Sequence, residues 1–190
     1  MKKVLILLSC TLILTSGLFA SDRSDADALI KKCNSESRVL EVCVRNFGND
    51  KDIQDFEKGV KLIKMGKIKY AQSKFLDSKS NTEKYLKIQY SVYESLAKKY
   101  IKRTEQMIDD IALELIDYAD DEKVMKNLSL ASQYLSSAKS NMTRKFYSIV
   151  IGPSRKSKSY LLQLYDITGT PFPEKYAKDR ADCSKKIYTN

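Results

Sequence analysis

The side chain that most often moves protons near neutral pH is missing: the 190 residues contain no histidine. A serine, threonine or cysteine nucleophile would therefore need another activator. Lys31 and Lys32 precede Cys33, and adjacent cations lower a thiol pKa, but a structural thiol is the simpler role. Cys43 and Cys183 are the other thiols beyond the first twenty residues, and an odd number leaves at least one unpaired. On one straight helix Cys33 and Cys43 stand about 15 Å apart by helical rise, too far for a bond. A turn through residues 34–37 would permit Cys33–Cys43. A Cys43–Cys183 bridge and free thiols are the alternatives. Without a close cysteine pair or a histidine, no zinc spacing exists.

The carboxylates do not assemble a site either. Asp109, Asp110, Asp117, Asp120, Asp121 and Glu122 lack the spacing of a calcium loop. They read as a solvated helix face with Asp120 or Asp121 capping the next helix. Glu83, Glu94, Glu105 and Glu114 are spaced too irregularly for a carboxylate pair. The six glycines are scattered and make no phosphate loop. No catalytic residue, metal or cofactor is expected, and the chain reads as a non-enzyme. One anion-binding candidate stands out, the segment GPSRKSKS at 152–159. Read as a loop, it gathers Arg155, Lys156 and Lys158 ahead of a helix whose free N-terminal amides favour negative charge. An exposed basic connection is the alternative. Tyr85, Tyr90, Tyr93 and Tyr100 are read as packing between helices rather than stacking on sugars or bases.

The first twenty residues have the layout of a secretory signal peptide. Lys2 and Lys3 form the charged start, Val4 to Leu14 is mostly apolar, and Gly17 to Ala20 supplies a processing site. Cleavage is placed after Ala20. The apolar run is too short for a spanning helix. Cys10 resembles a lipid-attachment cysteine, but the apolar sequence before it is very short and more follows it, which argues against anchoring. The expected location is exported, periplasmic or at the cell surface, with no transmembrane span in the mature chain and no nucleic-acid partner. The formal net charge of +10 suits acidic partners. The basic residues are read as spread among carboxylates along the chain.

From Lys67 to Ile151 there is neither glycine nor proline. Sheets need both at their turns, whereas helix interiors avoid them. The fold class is therefore all-α, built from six to eight helices in antiparallel hairpins. Helices are expected at 26–32 and 38–47, the second ended by Gly48. Asn49 or Asp50 caps a third that Gly66 ends, and residues 68–77 return. Ser80 and Glu83 form a capping box for a long stretch, either one rod or two helices broken near 102–104. Another helix follows through about Ser140, then one at 141–151 stopped by Gly152 and Pro153, and one at 159–167. Residues 168–190 read as an irregular tail with a short helix at 174–183.

An echo sixty residues apart aligns Ala71, Phe75 and Ser78 with Ala131, Leu135 and Ala138, and Lys-Ser-Asn is identical in both copies. Spacings of four and three put these on one helix face. With Gly59, Leu62 and Gly66, this pattern resembles the tetratricopeptide family over residues 53–81, and more weakly over 112–141. The departures are Asp55 at an aromatic position, Lys58 at a core leucine, Lys126 at the second turn glycine, and no closing proline. The resemblance implies a TPR-like domain over 21–167, either an α-solenoid or an irregular helical bundle. It also implies a concave side lined by Ile53, Phe56, Val60, Ile63 and Lys64. On this view the protein is a scaffold or adaptor gripping a protein partner in the cell envelope. A binder of anionic or lipidic small ligands is the alternative.

Overall fold

In the computed structural model the chain runs through α1 (Lys2–Phe47), α2 (Asp50–Ala71), α3 (Phe75–Glu114), α4 (Glu122–Thr143), α5 (Tyr147–Thr168) and α6 (Ala177–Ser184). Two 3-10 turns stand at Ile116–Tyr118 and Glu174–Tyr176. The backbone is described for residues 2–184 and the side chains for 21–184. The candidate signal segment with Cys10 therefore lies outside the described side chains. No strand occurs among the described residues, and the fold is an all-α bundle of helical hairpins. No helix there is long and apolar enough to cross a membrane. The chain divides into two compact units, Met1–Arg38 with Gln54–Gln89, and Val39–Ile53 with Tyr90–Asn190.

Two sharp reversals are made without glycine. At the end of α2, Ser73 adopts φ 58°. Its amide donates to the Tyr70 carbonyl, and the Lys74 amide to the Lys69 carbonyl, both at 2.9 Å. After α4, Lys145 adopts φ 61°, with Lys145 N–H to Met142 at 3.0 Å and Phe146 N–H to Asn141 at 2.9 Å. Each is a Schellman closure, which satisfies the last carbonyls of a helix. Serine and lysine bear a steric cost in that left-handed conformation, so their types gave no sign of it. The other junctions are legible. Asn49 accepts from the Asp52 amide at 2.9 Å while Asp52 accepts from the Asn49 amide at 3.0 Å. Asp121 accepts from the amides of Lys123 and Val124. Gly169 ends α5 at φ 69°.

Several expected boundaries move. Gly66 does not end α2, which continues to Ala71. The Ser80–Glu83 box starts nothing, because α3 begins at Phe75 and is one uninterrupted rod. Residues 26–47 form one helix, so the turn needed for a Cys33–Cys43 bridge is absent, and Cys33, Cys43 and Cys183 are all free thiols. Helix α5 runs straight through Gly152 and Pro153. The amide that Pro153 lacks would have met the carbonyl of Ile149, an exposed residue where water can serve instead. The tail carries a 3-10 turn and α6. The echo also splits. Ala131, Leu135 and Ala138 are buried in α4, whereas Ala71 is exposed at the last residue of α2, with a turn between it and Phe75.

Gly66 has a different use. In the first unit, Gly59 and Gly66 lie seven residues apart on α2 and let α3 come close. The Tyr85 ring sits where a side chain on Gly59 would project, 2.9 Å from an ideal Cβ. Thr82 lies 3.1 Å from the Cβ position at Gly66, and the Ser78 hydroxyl donates to the Gly66 carbonyl at 2.8 Å. Cys33, Ile63 and Tyr85 form the buried cluster beside this seam. In the second unit, Met107, Ile111 and Leu115 of α3 pack with Val124, Leu161 and Tyr165, and the buried Ser157 hydroxyl ties α5 to the Ala131 carbonyl at 2.7 Å.

Alanine at each seam glycine gains about 1 kcal/mol of helix propensity. Gly59→Ala also collides with a buried ring and incurs about 1–3 kcal/mol of overpacking. Urea unfolding should show Gly59→Ala net destabilised, and Gly66→Ala within about 0.5 kcal/mol of the parent because only a methyl group must yield.

Candidate functional site

The expected anion loop is a helix, and two of its three cations, Arg155 and Lys158, are already occupied. Arg155 and Lys158 point inward from α5 and are buried; Lys158 has no solvent exposure. The Lys158 ammonium donates to Asp179 at 2.9 Å and to Asp182 at 3.1 Å. Both carboxylates are themselves buried on α6. Arg103 from α3 holds Asp179 at 2.7 Å, and Arg155 lies 3.4 Å from Asp182 while donating to its carbonyl. The Tyr100 hydroxyl (2.9 Å) and the Asn46 amide (2.7 Å) donate to the remaining Asp182 oxygen. Phe47 and Tyr100 place their rings 4.2 Å and 4.8 Å from the ammonium, adding cation–π attraction. Only Lys156 of the expected set is exposed, over the Tyr160 ring. The cluster is an internal lock that holds α6, and it leaves no open anion site.

The thiols are correspondingly quiet. Burial pushes Cys33, Cys43 and Cys183 each up to about 11, so almost no thiolate forms near neutral pH. For Cys33, burial and the nearby Glu36 outweigh Lys32, which reverses the effect expected from its lysine neighbours. Among the described residues no group of three or more potential metal ligands comes together.

The expected groove stripe does not form one open surface. Ile63 is buried against Cys33 and Tyr85. Phe56 and Val60 are half-buried, and Ile53 and Lys64 are exposed. Ile53 moreover belongs to the second unit and the other four to the first. Of the stripe, only Ile63 is fully buried in the core.

The open surface of the first unit lies at the other end of α2. Every charged residue from Lys58 to Leu76 is a lysine. Lys58, Lys61, Lys64, Lys67 and Lys74 are exposed. Among the described residues none of them is in an ion pair. Met65 (48 % exposed), Ile68 (56 %) and Leu76 (66 %) stand among them. Like charges three apart on a helix repel, and apolar side chains of this size gain nothing in water. The reading of basic residues as evenly spread missed this run. A window count of charge sign along residues 58–76 would have found it, but the exposure of its apolar members shows only in the fold.

No family model matches the chain, and no curated protein or solved structure shows significant similarity to it.

Removing one partner from the α6 lock leaves buried charge uncompensated, at a cost of about 3–5 kcal/mol. Asp182→Ala should lower the thermal midpoint sharply. It should also speed labelling of Cys183, whose thiol faces the Arg155 carbonyl. Asp166→Ala, at an exposed position on α5, should change neither.

Proposed function

We propose that this protein is an exported, non-enzymatic adaptor that binds an acidic protein partner in the cell envelope. The contact surface is the lysine-rich end of the α2–α3 hairpin. The observation that carries the reading is the exposed Met65, Ile68 and Leu76 set in a segment, residues 58–76, whose every charged residue is a lysine. Apolar centres supply affinity, and a surrounding field of one sign supplies steering and partner choice. The absence of histidine and the burial-raised thiols support a binding role over a catalytic one. The signal-like first twenty residues support export.

A photo-crosslinking amino acid at Ile68 or Leu76 tests this in intact cells. Discrete protein adducts are expected from both positions. They should disappear in the Lys61→Glu, Lys64→Glu, Lys67→Glu variant and be absent from a probe at Gln163, exposed on α5. If no adduct forms and the full chain instead sediments with phosphatidylglycerol vesicles, the surface is a lipid-binding one and the adaptor reading fails.

A further inference from the structure

The second unit has an exposed apolar end of opposite sign. Where α3 passes through the Ile116–Tyr118 turn into α4, Leu113 is 71 % exposed and Ile116 63 %. Tyr118 and Met125 are exposed as well. Every charged residue from Asp109 to Glu122 is a carboxylate, in a chain whose net charge is +10. Lys175 reaches Glu114 and lies 3.9 Å from Asp110. Asp121 is taken up capping α4. Asp109, Asp117, Asp120 and Glu122 enter no ion pair among the described residues. Asp109, Asp110 and Glu114 lie toward the C-terminal end of α3, where carboxylates are disfavoured, and the last turn of α3 contains no basic residue, whereas Glu122 is in the first turn of α4, where a carboxylate is favoured. The chain therefore carries two unpartnered apolar faces, one inside an all-lysine segment and one inside an all-carboxylate segment.

We propose that these two faces are each other's partners in different copies of the chain. Met65, Ile68 and Leu76 of one copy pack on Leu113, Ile116 and Met125 of the next, with the lysines meeting Asp109, Asp117, Asp120 and Glu122. This rests on the adaptor reading of the lysine-rich surface and names a second copy as its occupant. Charge complementarity selects that occupant. Like faces repel, so each contact joins unlike faces of two copies, either twice in a closed two-fold dimer or once per copy in an open chain. Both faces are mainly small sets of side chains, so the association is weak and concentration-dependent, and it weakens with salt as exposed charges are screened.

Sedimentation velocity on the full chain tests the proposal. The wild type should gain mass with concentration at low salt, and its apparent affinity should fall about tenfold between about 20 mM and 500 mM salt. Two variants separate the ends: Lys61→Glu, Lys64→Glu, Lys67→Glu, and Asp117→Lys, Asp120→Lys. Each alone should remain monomeric, because it has lost one half of the contact. Mixed, they should associate again, because the native lysines of one meet the native carboxylates of the other and the two reversed faces are complementary to each other as well. The apolar variant Leu113→Ser, Ile116→Ser should abolish association with every charge intact. Circular dichroism of each variant confirms the fold, since all these positions are on the surface. A wild type that stays monomeric at low salt, variants that associate as the parent does, or a mixture that stays monomeric would overturn self-docking. The adaptor reading would then still stand or fall on crosslinks to other proteins at Ile68 and Leu76.

Discussion

A lysine with no exposure to water must have its charge answered inside the protein, and Lys158 is that lysine. The desolvation of an ammonium costs several kcal/mol, and the chain offsets it with two carboxylates, two rings and a set of donors that satisfy the carboxylates in turn. Both carboxylates come from α6, which spans only Ala177–Ser184. A helix of that length has little stability of its own. Its place therefore depends on the lock, and so do the burial of Asp179 and Asp182 and the shielding of Cys183. The same constraint explains why the basic stretch of α5 is not a binding loop. Arg155 and Lys158, two of the three groups that would greet an anion, are committed to the protein's own acid pair.

The first unit solves a different problem by subtraction. Bringing α3 onto α2 with a tyrosine, a threonine and a serine facing inward requires room, and Gly59 and Gly66 supply it by having no side chain. The gain is close packing and a hydrogen bond from Ser78 to the Gly66 backbone. The loss is helix propensity, about 1 kcal/mol at each glycine. Because the seam faces inward, the outer face of α2 is left to the lysines, and nothing in the unit's own packing requires Met65 or Ile68 to be apolar.

Charge of each sign is thus concentrated at a hairpin end in its own unit. Part of each concentration opposes stability. Lysines three apart repel along α2, and carboxylates gather at the unfavourable end of α3. Asp52 and Glu114 show the contrasting pattern. Burial would raise each carboxyl pKa, yet hydrogen bonds from Lys99 and the Asn49 amide, and from Lys175 and Tyr165, hold them below the usual carboxylate range. Their contribution is present above that range and fades as pH falls through the lowered value. Those carboxylates work inside the fold, whereas Asp117 and Asp120 have no such employment.

Helix content was legible from residue types alone. A long span free of glycine and proline, with apolar residues at helical spacing, excludes sheet, and the Asn49 and Asp121 caps follow from short local rules. Where the chain reverses was not legible. Ser73 and Lys145 accept a strained left-handed conformation because packed helices on both sides require the turn there, while Gly66 and Gly152, the residues that favour reversal, are held helical. The sites divide in the same way. Residue types alone exclude histidine chemistry, and they contain the unbroken lysine and carboxylate runs. Whether Ile63 lines a groove or a core, and whether Lys158 meets an outside anion or Asp182, depends on residues distant in sequence. Burial and ion pairing are properties of neighbours in space, and only the tertiary structure brings those neighbours together.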